Sequence, residues 1–70
     1  MNEADQRIYN FLKKHNDEIV DIGVVHTVIP NRLFFQMGKV LDLNEETVLL
    51  ETKRGLKKFE ITEIQEVRVV

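Results

Sequence analysis

Between Gly38 and Glu51 the chain carries two apolar runs separated by a short polar break. Val40, Leu41 and Leu43 are spaced by Lys39 and Asp42, then Asn44, Glu45 and Glu46 intervene, and Val48, Leu49 and Leu50 follow without a charge. Alternation at a period of two marks a half-buried strand, and an uninterrupted aliphatic run marks a strand buried on both faces. A break this short cannot hold a crossover, so the two strands must be antiparallel neighbours joined by a tight turn. Gly38 stands in the middle of the longer run, residues 32–43, where it lets the strand bend sharply.

The rest of the chain is organised around this strand pair. Residues 3–15 are predicted to be a helix, capped by Asn2 or Asp5, with Ile8, Phe11, Leu12 and His15 spaced as one apolar stripe. Lys13 and Lys14 suit its C-terminal end, and Asn16 with Asp17 suits its stop. Such a helix is too short to hold by itself and must pack on the strands. Residues 19–29 are rich in Val, Ile and Thr, which favours a strand over a second helix, with a bend or bulge at Gly23 and a turn at Pro30 and Asn31.

In residues 32–43, Leu33, Phe35, Met37, Leu41 and Leu43 are expected to point one way, with Phe34 and Val40 on the other side. Strands are further expected at 48–53, 56–61 and 64–70. Arg54 and Gly55 make the hairpin turn between the first two of these, and Thr62 and Glu63 make a corner before the last. Lys57, Phe59 and Ile61 fall on one face of their strand, and Lys58 and Glu60 on the other. A helix followed by five short antiparallel strands, one of them bent at a glycine, is the composition of an all-β small barrel with an N-terminal helix, since short twisted sheets curl and their edges need cover.

Size and composition narrow the function. Seventy residues make one domain, 1–70, whose core is marginal without further support. There is no cysteine, so neither disulfides nor thiolate metal sites can supply that support, and the two histidines, His15 and His26, lack a ligand partner at a useful spacing. Self-association into a homo-oligomer is the expected source of extra stability. No segment resembles a signal peptide or a membrane span, which points to a cytoplasmic protein without a membrane partner. Ten basic and twelve acidic residues give a net charge of −2, which excludes a generally basic nucleic-acid binder. Asp42, Glu45 and Glu46 stand without any nucleophile, base or phosphate-binding glycine loop, so no enzyme and no cofactor are expected.

The order of elements resembles the Sm-like small barrels, and in particular their bacterial branch, the Hfq-like proteins, which carry the same N-terminal helix. In that branch the bent second strand reads Gly-x-apolar-x-x-Phe-Asp-x-Phe-x-apolar-Leu-Leu. Here Gly38, Val40, Leu43, Asn44, Glu46, Val48, Leu49 and Leu50 take that spacing without a gap, and Phe11 with Leu12 match near the end of the helix. The resemblance implies a ring of identical subunits that binds RNA or a small nucleotide. It also places Glu46 where these proteins stack a uracil on an aromatic ring, and Glu60, Ile61 and Thr62 where they carry a basic corner. A carboxylate cannot replace a stacking ring and repels phosphate, so the resemblance implies the scaffold rather than a uridine-binding pore. The hairpin before Gly38 is longer than in these proteins, by residues around His26 to Asn31.

The densest run of positive charge is Lys53, Arg54, Lys57 and Lys58, all within six positions. Charges of this kind either guard a hairpin tip against edge pairing or contact phosphate, and repetition around a ring multiplies a modest patch. Phe34 and Phe35 are adjacent, so one must leave the core; such a ring packs against the helix or a neighbouring subunit, or stacks on a base. With Tyr9 they are the aromatic candidates, and Arg32 and Asn44 complete the proposed RNA or nucleotide contacts. Two other functional classes fit the same scaffold: a ring that binds protein as an interaction scaffold, and a regulatory protein that sequesters a nucleotide.

Overall fold

The structure, a computed structural model, describes residues 1–26, 28–29 and 31–70. Its elements are helix α1 (Glu3–Lys14), strands β1 (Ile19–Val25), β2 (Leu33–Leu43), β3 (Thr47–Thr52) and β4 (Gly55–Glu60), a 3-10 turn η1 (Ile61–Glu63), and β5 (Ile64–Val69). Of the expected turn at Pro30 and Asn31, Pro30 lies outside the described residues; Asn31 has φ of 62°, a conformation asparagine tolerates better than most residues.

The helix starts where its sequence provides a cap. Asn2 is extended, and its Oδ1 accepts a hydrogen bond from the Asp5 amide at 2.8 Å, satisfying one of the amides that the first turn leaves without a partner. Asn2→Ala is therefore expected to cost about 1 kcal/mol, read as a thermal midpoint lowered by roughly 4–8 °C for a domain of this size. At the other end Asp17 turns the chain with φ of 69°. The Asp17 amide donates to the Val40 carbonyl at 2.9 Å and the Val40 amide to the Glu18 carbonyl at 3.1 Å, so the helix exit is pinned to the middle of β2.

All five strands form one antiparallel sheet in the order β4-β3-β2-β1-β5. Neighbours in sequence are neighbours in space except β5, which returns to pair with β1. Among the described residues the ladder is open: β4 and β5 are its two edges, and η1 joins them. The inner face buries Val20, Ile22 and Val24 of β1, Val40 of β2, and Val48 and Leu50 of β3, together with Ile61 and Ile64. Ile8 and Leu12 of α1 close this core, and Phe11, Leu43, Phe59 and Val67 pack at its margin. The stripe read from the helix sequence is thus the face that meets the sheet, with Leu12 fully buried.

The expected facing of β2 is corrected at Leu41. Up to Val40 the strand alternates as anticipated: Leu33, Phe35 and Met37 lie opposite Val25, Gly23 and Asp21 on the outer face, while Phe34 lies opposite Val24 on the inner face. Val40 then pairs with Leu50, but Asp42 pairs with Leu49, so Leu41 is the extra residue of a bulge. One inserted residue reverses the parity of everything after it, which brings Leu43 opposite Val48 on the buried side instead of leaving it with Phe35 and Met37. The irregularity expected at Gly23 is present, as a register shift against β5 between Gly23 and Val24.

Gly38 is not where the register breaks. It is needed for space: a Cβ there would lie 3.0 Å from the Glu51 carbonyl oxygen and 3.0 Å from the Leu50 Cβ. Among the described residues, no helix is long and apolar enough to cross a membrane.

Candidate nucleic-acid interface

The basic hairpin is built by Thr52. Its Oγ1 donates to the Gly55 carbonyl at 2.8 Å and accepts from the Arg54 amide at 3.1 Å, tying both sides of the turn through one hydroxyl. Gly55 adopts φ of 109°, which a residue with a Cβ reaches only under strain, as the sequence anticipated. Lys53 and Arg54 occupy the exposed corner between them. Along β4, Lys57 lies opposite the buried Leu50 and Lys58 opposite Leu49, so the two lysines project on opposite faces of the sheet. The cluster is therefore continuous in sequence and split in space: a tip with a cation on each side.

Among the described residues, none of these four cations forms an ion pair. The ion pairs among the described residues are His15 with Glu18, Lys39 with Asp17 and Arg68 with Asp21. The last pair joins two strands, β1 and β5. Asp21 is buried, and its Oδ2 accepts from Arg68 Nε at 3.1 Å and Nη2 at 2.9 Å. The sequence carries a signal for it: an aspartate inside an otherwise apolar strand demands a cation or hydrogen-bond donors from a neighbouring strand. Arg68 is thus held by Asp21, near the Phe35 ring at 5.9 Å, and is not part of a free basic patch.

The remaining site candidates do not converge. Asn44 sits in the turn past the end of β2, whereas Phe34 and Arg32 lie at its beginning, with the whole strand between them. The Asn44 Oδ1 accepts from the amides of Glu46 and Thr47, both at 2.8 Å, which makes it the former of that turn. Glu45 and Glu46 then face a shallow depression that also holds Asp5 and Glu60, so the region where the resemblance places a stacked base is lined by four carboxylates.

At the other end of β2, the His26 amide donates to the Arg32 carbonyl at 2.9 Å and closes the β1–β2 hairpin. His26 Nδ1 accepts from the amides of Val28 and Ile29 at 3.1 and 2.9 Å, and its ring stacks on Phe34 at 5.4 Å between centroids. Phe35 lies on the outer face, where its Cε1 would be 3.0 Å from a Cβ on Gly23; the ring fills the place of the missing side chain. Neither Phe34 nor Phe35 reaches the helix-covered core: they are 59% and 52% exposed. Tyr9 stays on the helix surface, with the Lys13 ammonium 6.0 Å from its ring.

Lys53 and Arg54 lie nearer to the Phe34 end of β2 than to Asn44, because β3 runs back along β2 from the Asn44 turn until Glu51 stands opposite Lys39. The cationic tip of the β3–β4 hairpin is thus separated from the acidic turn. Comparison of the chain with models of known protein families gives no match, and comparison with curated proteins gives none either.

Proposed function

We propose that the chain is an Sm-like small barrel that assembles into a closed homo-oligomeric ring and binds RNA or a phosphate-bearing nucleotide without chemistry, through the β3–β4 hairpin tip. One observation carries the proposal: the strand order puts β4 and β5 at opposite ends of the sheet, and the hairpin that ends in β4 carries four cations with no ion pair among the described residues. Joining β4 of one copy to β5 of the next satisfies both edges by a head-to-tail contact that closes when the rotation allows. Leu56 on β4 and Val69 on β5, both exposed, become covered in such a contact. Each subunit then presents Lys53 and Arg54 at the same radius, and several weak phosphate contacts act together.

Arg54 offers a planar fork that a phosphate can accept in two bonds, and Lys58 adds a point charge from the outer face. Arg54→Ala with Lys58→Ala is expected to abolish binding of a mixed-sequence RNA oligonucleotide and to flatten the dependence on salt, with folding and oligomer size unchanged. The measurement is a titration of both proteins at two salt concentrations, with size followed by native mass spectrometry. Equal binding by the two would reduce the cluster to a solvated tip.

A second reading, a ring that binds protein as a scaffold, is favoured by the acidic depression of Asp5, Glu45, Glu46 and Glu60, which repels phosphate where the resemblance calls for a base. The same titration separates the two, since a scaffold shows no salt-sensitive uptake of RNA.

A further inference from the structure

Three connections of the sheet each carry a side chain that accepts hydrogen bonds from amides just ahead of it. Asn44 Oδ1 takes the amides of Glu46 and Thr47 between β2 and β3, and Thr52 Oγ1 takes that of Arg54 between β3 and β4. Between β1 and β2 the acceptor is His26. Its Nδ1 takes the amides of Val28 and Ile29 at 3.1 and 2.9 Å, two and three residues ahead, the same positions that Asn44 serves. An amide oxygen and a hydroxyl accept at any physiological pH, whereas a ring nitrogen accepts only while it carries no proton. A neutral imidazole with Nδ1 as acceptor has its proton on Nε2, so a second proton goes to Nδ1. Imidazole is the side chain whose charge changes between about pH 5 and 8.

We infer that His26 is a proton-operated latch: neutral, it holds the Val28 and Ile29 amides, and charged, it releases both. Protonation turns Nδ1 from acceptor into donor, and a donor cannot bond to two N–H groups. The released amides lie on the surface, where water takes them; Val28 is 80% exposed. The bond from the His26 amide to the Arg32 carbonyl is backbone and stays, so the change is local and the β1–β2 ladder is kept. The ring also keeps its place. It stacks on Phe34 at 5.4 Å between centroids, and an imidazolium over an aromatic face adds a cation–π attraction. Across the hairpin the ionisable residue is Arg32; on the other side the β1 ladder ends at Val24 with Ile64, which Glu63 precedes. Among the described residues, neither forms an ion pair with the ring. His15, the other histidine, is wired the opposite way. Its Nδ1 stands 3.2 Å from Glu18 Oε2, an acceptor, so the proton that breaks one contact makes the other. The latch operates whether or not the chain binds RNA.

Nuclear magnetic resonance of nitrogen-15-labelled protein, taken from about pH 8 to about pH 5, reads both halves of the latch. At the upper end the His26 proton should sit on Nε2. On acidification the Val28 and Ile29 amide signals should move in step with those of the His26 ring. Their protection against hydrogen exchange, corrected for the intrinsic rate, should fall by up to roughly tenfold, while the amides of β1 and β2 stay protected. His26→Asn supplies the kind of acceptor that Asn44 provides and should hold both amides across the range. His26→Ala should leave both released across the range, and His15→Gln should keep the wild-type response. Far-UV circular dichroism checks the fold of each variant. The latch is overturned by a proton on Nδ1 at the upper pH, or by no change in ring or amides down to about pH 5. Ring signals that titrate while both amides stay still, or His26→Asn amides that respond to pH like wild type, overturn it equally.

Discussion

Gly38→Val is expected to leave little folded protein at room temperature. The ideal Cβ at Gly38 would stand 3.0 Å from both the Glu51 carbonyl oxygen and the Leu50 Cβ, and 3.2 Å from the Thr52 Cγ2. Thr52 could rotate away, but the Glu51 oxygen is backbone and the Leu50 Cβ is fixed to it. Relief therefore requires β2 and β3 to move apart where the ladder between them begins, at Lys39 with Glu51. Gly38 does not adopt a positive φ, so the cost is steric and grows with the side chain. Overpacking of this kind costs about 1–3 kcal/mol or more, and a core this small rarely supplies more than about 3–5 kcal/mol in total. Gly55→Ala is the comparison without a clash: nothing lies within 4 Å of its Cβ, and only the φ of 109° opposes it, at a cost of about 1–3 kcal/mol in backbone strain. Urea unfolding followed by circular dichroism should show Gly38→Ala intermediate and Gly38→Val largely unfolded before denaturant is added. A Gly38→Val midpoint equal to that of wild type would show that β2 and β3 do not approach this closely.

Leu12→Ala should have the next largest effect, and a different signature. Leu12 is fully buried, and with Ile8 it is how α1 closes the core made by β1, β2, β3, η1 and β5. Truncating a buried leucine costs about 2–5 kcal/mol, more where the surroundings cannot collapse into the cavity. Here the helix also has no stability of its own at 12 residues. Once its anchor is gone it detaches, and the inner face of the sheet meets water. The expected result is a thermal midpoint lowered by at least roughly 10 °C, with helical signal lost before strand signal and with binding of a hydrophobic dye. Retention of the helical signal up to an unchanged midpoint would mean that Ile8 and Phe11 hold the helix without Leu12.

The aromatic pair shows where local reading stops. That Phe34 and Phe35 face opposite ways follows from alternation alone, and the structure agrees. What covers them does not follow. Phe35 sits over Gly23 because the register sets Gly23 opposite it, and Phe34 sits against His26 because the β1–β2 hairpin closes between His26 and Arg32. Both contacts join residues far apart along the chain or across a turn, and their register depends on a turn whose geometry no single residue type dictates. The same holds for Asp21. Its need for a partner is legible in an apolar strand, but Arg68 becomes that partner only because β5 returns to pair with β1.

By itself, the sequence determined the kinds of element and most of their limits. The helix with its Asn2 cap and Leu12 stripe, the strands, the Gly55 turn and the opposed facing of Lys57 and Lys58 all come from short-range causes: capping, periodicity and backbone conformation. Only the tertiary structure decided how those elements are counted against one another. The bulge at Leu41, the space requirement at Gly38 and the coupling of Asp21 to Arg68 exist because particular strands lie beside one another in a particular register. A residue inserted on one strand changes facing only relative to its neighbour, and a glycine is needed for space only where that neighbour comes close. Pairing between distant segments sets both, and the identity of the residues within either segment does not contain them.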